Sequence, residues 1–167
     1  YSIGSEMTWK IPPSGPDGIT DGMEIQFVFS ERRENGMTEA ERLRNEKLGV
    51  KIVNALKKRH FEAYYCATGE EAKEKALSLI PEGHVISWGG SETLSQIGLL
   101  QEMRSGRYSV IDRDTAQTPE ERVSLMRKAL LADTFLGSSN AISEDGQLVN
   151  IDGNGNRVAA MIYGPTN

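Results

Sequence analysis

The 167 residues suffice for one domain and leave little for a second. Hydrophobic residues make up 38% and charged residues 26% of the chain, which excludes a disordered or fibrous protein. The 19 basic and 24 acidic residues give a net charge of −5, which argues against a general nucleic-acid binder.

The sequence also lacks the signals of a membrane or secreted protein. Its longest apolar run, Val158 to Tyr163, has six residues, whereas a membrane helix needs about 20. No basic start followed by an apolar stretch marks a secretory signal. Cys66 is the single cysteine, so it forms no internal disulfide or cysteine-rich metal site. We therefore expect a cytoplasmic protein that keeps Cys66 in its core and binds neither membranes nor nucleic acid.

The first 36 residues differ in character from the rest of the chain. They contain five glycines and three prolines, and residues 10–22 are nearly all turn formers. Only Glu24 to Ser30 has the composition of a strand. We interpret residues 1–36 as an extension, either foreign to the native chain or an arm that docks elsewhere, and residues 37–167 as the domain. A chain beginning at Met37 is expected to melt near the temperature of the full chain, unless the apolar residues of this strand belong to the core.

From Thr38 onward the sequence predicts helices that begin at recognisable caps. In three Thr-x-x-Glu segments, the hydroxyl can accept from a free backbone N–H while the glutamate reaches back to the cap. These pairs are Thr38 with Glu41, Thr68 with Glu71, and Thr118 with Glu121. Ser91 caps a fourth helix. The predicted helices span residues 38–59, 69–79, 91–105 and 119–132.

Short β-type runs separate these helices. They are Phe61–Cys66, His84–Trp88, Tyr108–Ile111 and Thr134–Gly137. Strands that alternate with helices indicate βαβ units and a parallel sheet. After residue 138 we predict two more strands, Gln147–Ile151 and Arg157–Tyr163, around a glycine-rich loop. The predicted fold is a three-layer, Rossmann-like α/β sandwich with a mainly parallel sheet and the strand from His84 in its interior.

Two of the loops that follow predicted strands are rich in Gly, Ser and Asn. The first, residues 89–93, leads into a helix whose N–H groups could bind an anion. The alternative is a tight turn in which Ser91 only caps the helix. The second, residues 138–140, offers hydroxyl and amide groups to a carboxylate or a hydroxyl. Its alternative is a polar loop in which Asn140 satisfies nearby backbone groups.

A third loop, residues 150–157, carries Asp152, Asn154 and Arg157. Its alternating Asp and Asn residues are typical of calcium loops, but the required glycine position and final glutamate are absent. Arg157 could hold an anion through its planar guanidinium, or it could pair with Asp152 and brace the loop. The sequence leaves both roles open.

Because the ends of adjacent parallel strands lie close together, we expect these loops to converge on one carboxylate or phosphate site. Its predicted residues are Gly89, Gly90, Ser91, Thr93, Asn140, Asp152, Asn154 and Arg157. Arg157→Lys is expected to weaken binding and leave the fold intact. No triad, carboxylate pair, metal-ligand spacing or dinucleotide fingerprint stands out, so we assign no catalytic residue, metal or cofactor.

Several of these segments, taken together and in chain order, resemble the LUD-domain family, of the lactate-utilization protein C type. The resemblance spans residues 37 to 167 and is most specific in the second half. The segments that carry it are Ser87–Ser91 with Thr93-Leu94, Ile97–Leu100, Val110–Arg113, Ala132-Asp133 with Phe135-Leu136, Ser139–Ile142 with Glu144–Gly146, and Leu148–Gly164.

The resemblance implies a fold of the NagB/RpiA/coenzyme A transferase group and a role in oxidising lactate to pyruvate beside iron–sulfur partner subunits. It also implies an incomplete C-terminus, because relatives continue past the Gly-Pro-x-Asn at the end of this chain. We expect an accessory subunit that binds a small anionic metabolite. The alternatives are a stand-alone enzyme or sensor for a phosphorylated or acyl-coenzyme A metabolite, and a binding scaffold without turnover. Homo-oligomerisation stays open.

Overall fold

The computed structural model describes residues 6–11, 23–29 and 38–165, with side chains for 26–28 and 38–165. The strands in this part of the chain are β1 (Glu6–Ile11), β2 (Met23–Phe29), β3 (Glu62–Cys66), β4 (Val85–Trp88), β5 (Ser109–Ile111), β6 (Thr134–Gly137), β7 (Ala141–Ile142) and β8 (Leu148–Val149). The α-helices are α1 (Glu39–Lys58), α2 (Gly69–Leu79), α3 (Glu92–Gln96), α4 (Leu99–Met103), α5 (Pro119–Lys128) and α6 (Asn156–Tyr163). Two short 3-10 turns span Arg113–Thr115 and Ala129–Leu131.

Six strands form one sheet in the order β3-β2-β1-β6-β4-β5. β1 runs antiparallel to both of its neighbours, and the other strand pairs are parallel. β4 therefore lies inside the sheet between β6 and β5, which confirms the prediction for this strand and for a mainly parallel sheet. β7 and β8 pair separately as a small antiparallel hairpin.

Helix starts follow the capping signals of the sequence. Thr38 forms a complete capping box, in which its Oγ1 accepts from the Glu41 N–H (3.3 Å) and its own N–H donates to Glu41 Oε2 (2.8 Å). Thr68 and Thr118 each accept from the backbone N–H three residues later, at 3.1 Å. The starts of α1, α2 and α5 are thus set locally, because each cap satisfies an N–H that the helix itself leaves free.

The helices cover both faces of the sheet, which gives three layers. On one face α2, α3 and α4 enclose a core that includes Ile86, Trp88 and Leu136. On the other face α1 packs on Val28 and Ala63, and α6 packs on Phe135. Successive strand residues point to opposite faces, so neighbouring residues of β6 serve different layers.

Two strands from the first 36 residues lie inside this sheet. β1 and β2 join β3 to β6, and Phe27 is fully buried against the ring of Tyr64, with a centroid separation of 5.6 Å. β2 confirms the predicted strand within one residue, whereas β1 was not predicted. Phe27 and Val28 thus belong to the core, which is the alternative that the sequence left open, and the sheet crosses the boundary at Met37. The predicted turn-rich residues 12–22 lie outside the described part of the chain.

Three predicted elements differ from those observed. The helix predicted at residues 91–105 is two short helices, α3 and α4, because Gly98 adopts a left-handed conformation (φ 75°) between them. The strand predicted from Arg157 is helix α6, and the strand before it is only β8. A short apolar run does not distinguish a strand from a buried helix, and the two alanines in this one favour the helix.

Candidate ligand-binding site

The loops after three adjacent parallel strands, β4, β5 and β6, meet at one edge of the sheet. There they enclose, together with residues 150–157, a polar cavity of about 290 Å³. It is lined by Gly90, Arg113, Ser138, Asn140, Ile151, Asp152, Gly153, Asn154, Asn156 and Arg157. The parallel strands determine this arrangement, because their carboxyl ends share an edge.

The structure brings five of the eight predicted site residues to this cavity. They are Gly90, Asn140, Asp152, Asn154 and Arg157. The other three, Gly89, Ser91 and Thr93, do not line it. The expected convergence of the three loops is therefore present, although the first loop contributes only Gly90.

Gly89, Ser91 and Thr93 make contacts that stabilise the fold instead. The Gly89 N–H donates to the Leu136 carbonyl (2.9 Å), and a Cβ at Gly89 would lie 3.0 Å from Cδ of Arg157. Thr93 is buried in α3. Ser91 Oγ accepts from the Leu94 N–H at 3.2 Å and caps α3, as its alternative interpretation predicted.

Ser91→Ala is expected to lower the free energy of unfolding by about 1 kcal/mol, because α3 loses its side-chain cap. Urea denaturation measures this change. Ser124→Ala, at an exposed position within α5, is the matched control and should change stability by less than about 0.5 kcal/mol. Unchanged stability with a loss of ligand affinity would instead identify the Ser91 hydroxyl as a ligand contact.

The Arg157 guanidinium is buried and makes all its hydrogen bonds within the chain. Nη1 donates to the Ser138 carbonyl and to Asn150 Oδ1 (2.8 Å). Nη2 donates to Asn140 Oδ1 (2.7 Å) and to the Ile151 carbonyl (2.8 Å). These bonds use the four N–H groups of the two terminal nitrogens. Arg157 therefore braces the loops that form the cavity, since oxygen atoms of the chain occupy its terminal N–H groups.

Asp152 lies three residues before Gly155, the N-cap residue of α6, and its carboxylate accepts hydrogen bonds from the first turn of this helix. Its Oδ2 accepts from the N–H groups of Arg157 (2.7 Å) and Val158 (3.1 Å), and its Oδ1 accepts from that of Asn154 (3.2 Å). Burial acts to raise the pKa of this carboxyl, but the three backbone donors and the nearby guanidinium outweigh it and lower the pKa below its ordinary value. Asp152 thus stays ionised and occupies the α6 N-terminus itself.

Arg113 is a cavity residue that we did not predict. It lies two residues after the end of β5, and its Nη2 is so close to the Gly90 backbone that a Cβ there would be 2.8 Å away. Its Nη1 contacts Met126 Sδ at 3.9 Å, and its buried Nε has no hydrogen-bond partner among the described residues. The sequence could have indicated Arg113, because it lies just after a strand predicted to be parallel to β4, and the carboxyl ends of parallel strands share one edge of the sheet.

A network of charges holds the turn that carries Arg113. The Asp112 carboxylate is buried, accepts from Arg104 Nε (2.7 Å) and accepts from the Asp114 N–H (2.9 Å). The Asp114 carboxylate contacts Arg104 (3.3 Å) and Arg122 (3.1 Å). The hydrogen bond to Asp112 is the main reason that the pKa of Arg104 is raised. This turn is therefore fixed by side chains from α5 and from the residue that follows α4.

The described residues contain no group of three His, Cys, Asp or Glu side chains that could hold a metal ion. Cys66 lies in the core, as expected, and burial raises the pKa of its thiol to about 11. Within the same part of the chain, no helix has the length and apolar character needed to cross a membrane. The described lining of the cavity offers guanidinium, amide and backbone groups and the carboxylate of Asp152.

Comparison with protein families identifies a match over most of the chain. The family model described as LUD domain matches residues 50–167, which include every described residue that lines the cavity. No curated protein and no solved structure matches the chain.

Proposed function

Because the chain belongs to the LUD-domain family, we propose that it binds a small anionic metabolite as an accessory subunit of a lactate-utilization system. The observation that carries the proposal is the polar cavity with the Arg113 guanidinium at its wall. The cavity lies where open parallel sheets bind their ligands, at the carboxyl ends of neighbouring strands.

The Arg113 guanidinium has unused hydrogen-bonding capacity. Within the described residues its Nε makes no hydrogen bond and has only a long ion-pair contact of 3.8 Å with a carboxylate oxygen of Asp114. That carboxylate is shared with Arg104 and Arg122. Guanidinium groups bind carboxylates strongly because two parallel N–H groups match two oxygens. A bound anion would meet the terminal nitrogen Nη2 of Arg113, which lies beside Gly90 in the cavity wall.

The size of the cavity favours a small ligand over the alternatives. About 290 Å³ lies at the lower limit of ordinary small-molecule sites, which span about 300–1,000 Å³. An acyl-coenzyme A is too large for such a volume, and most of it would have to lie outside. A phosphorylated metabolite of a few carbon atoms would fit and is the competing ligand class.

The accessory role rests on the residues available for electron transfer. The sequence has one cysteine, which is buried, and no dinucleotide fingerprint. Lactate oxidation needs an electron acceptor, which we assign to iron–sulfur partner subunits in the cytoplasm. Co-purification of those subunits with the native protein tests this part. Turnover of an acyl-coenzyme A or sugar phosphate by the purified chain alone would contradict it.

Ligand binding is tested by a thermal-shift screen of small carboxylates, sugar phosphates and acyl-coenzyme A compounds, followed by calorimetry. We expect small carboxylates to raise the melting temperature of the wild type. Arg113→Gln should abolish this shift, whereas Arg127→Gln, an exposed arginine on α5, should preserve it. An unchanged response of Arg113→Gln would contradict the assigned role of Arg113.

Gly90→Ala gives an independent test of the same wall. The added methyl group would meet Nη2 of Arg113 at 2.8 Å and displace the end of this flexible side chain. We expect anion affinity to fall about tenfold, which corresponds to about 1.4 kcal/mol, with a smaller change in stability. Ser124→Ala, at an exposed position on α5 outside the cavity lining, is the control. Equal affinities of the two variants in calorimetry would contradict the prediction.

A further inference from the structure

We propose that the cavity selects ligands with a single negative charge and that Asp152 is the residue that excludes dianions. This inference rests on the proposed function, because it concerns the same cavity and assigns the charge class of its ligand. It is carried by the balance of fixed charges around the cavity and by the position of the Asp152 carboxylate in its wall.

One connected group of charges reaches the cavity from the β5 side. It contains three guanidinium groups, of Arg104, Arg113 and Arg122, and two carboxylates, of Asp112 and Asp114. The carboxylates make their short contacts with Arg104 (2.7 Å) and Arg122 (3.1 Å). One positive charge is left over, and Arg113 is the member of this group that lines the cavity.

The other two charged residues at the cavity, Asp152 and Arg157, add no net positive charge to it, although each charge still acts on a group close to it. Both line the cavity, and the three backbone N–H groups bound to Asp152 keep its carboxylate ionised beside the guanidinium. The guanidinium of Arg157 is used by four oxygen acceptors of the surrounding loops. The part of the cavity wall that the structure describes therefore offers one uncompensated positive charge, at Arg113.

A second negative charge on a ligand would have no cation to bind among these described wall residues. In a cavity of about 290 Å³, a group at the far end from Arg113 lies within several ångströms of its walls, which include the Asp152 carboxylate. Two like charges about 6 Å apart repel enough to change affinity by about tenfold near a protein surface, even with screening by salt. Neutral amides suit such a second group better, and Asn154 and Asn156 also line the wall.

Succinamate, succinate and succinamide test this selection by calorimetry at neutral pH. The three compounds have nearly the same shape and carry one, two and no negative charges. We expect succinamate to bind at least about tenfold more tightly than succinate, with succinamide and inorganic phosphate weaker than succinamate. Asp152→Asn keeps the size and an acceptor oxygen, so it should narrow the difference between succinamate and succinate. Glu74→Gln is the control, because it removes an exposed carboxylate on α2. It should leave the difference in affinity between succinamate and succinate unchanged.

The outcomes separate this inference from the proposed function. Succinate binding as tightly as succinamate to the wild type would overturn the charge selection and leave anion binding intact. A difference that persists in Asp152→Asn, with α6 still folded by circular dichroism, would overturn the role of Asp152. Failure of every anion, including other small carboxylates, to bind the wild type would overturn the proposed function itself. The wild-type comparison needs no variant, so reduced folding of Asp152→Asn does not prevent the test.

Discussion

Replacing Phe27 with alanine is expected to lower the free energy of unfolding by about 3–5 kcal/mol, because the ring is fully buried between layers and stacks on Tyr64. Urea denaturation measures the loss. Tyr163→Ala is the matched control, since this aromatic residue is 87% exposed and its removal should change stability by less than about 0.5 kcal/mol.

A chain that begins at Thr38 extends the same test to both N-terminal strands. Without β1 and β2, the strands β3 and β6 lose the two partners that join them in the sheet. We expect such a chain to lose its cooperative thermal transition, contrary to the expectation from composition alone. A transition near that of the full chain, together with a small effect of Phe27→Ala, would show that the domain is self-sufficient from residue 38.

Arg157→Lys is expected to reduce the free energy of unfolding by about 2–4 kcal/mol. An ammonium group has three donors on one nitrogen and cannot reach the four oxygens that the two terminal guanidinium nitrogens bind, so buried acceptors are left unpaired. Arg127→Lys, at an exposed position on α5, should have little effect in the same denaturation experiment.

This prediction replaces the one made from the sequence, in which Arg157→Lys weakened binding and preserved the fold. The two differ in a measurable way, because a brace affects stability first and a ligand contact affects affinity first. Full stability of Arg157→Lys with a large loss of anion affinity would restore Arg157 as the ligand-binding cation. If anion affinity is instead lost in Arg113→Gln and kept in Arg157→Lys, then Arg113 is the ligand-binding cation and Arg157 is the brace.

Local chemistry along the chain was enough to predict most of the helices and strands. Three helix starts follow from the hydroxyl and glutamate of their caps, because a cap and the N–H it satisfies lie within one turn of chain. The alternation of strands and helices between Phe61 and Gly137 predicted a parallel sheet, and the carboxyl-end rule predicted that the loops at Gly90 and Asn140 meet. In each case the signal lies in residues that are close together in sequence or in a general rule of sheet topology.

Other features depend on contacts between distant residues, and only the folded chain reveals them. The apolar run Val158 to Tyr163, which the sequence suggested as a strand, belongs to a helix because Asp152 caps α6 and Ala160 packs on the sheet at Phe135. Residues 6–11 alternate polar and apolar side chains, a strand signal that the sequence analysis missed. Only the folded chain shows that β1 pairs with both β2 and β6.

The roles of the two arginines were decided in the same way. Arg157 and Arg113 have the same side chain, and each follows a stretch that the sequence marks as a strand or loop. Only the folded chain shows that four oxygens surround the first, whereas the second reaches the cavity beside Gly90 with an Nε that makes no hydrogen bond within the described residues. Hydrogen-bond satisfaction is a property of the packed surroundings, so it cannot be read from the residue type or its spacing along the chain.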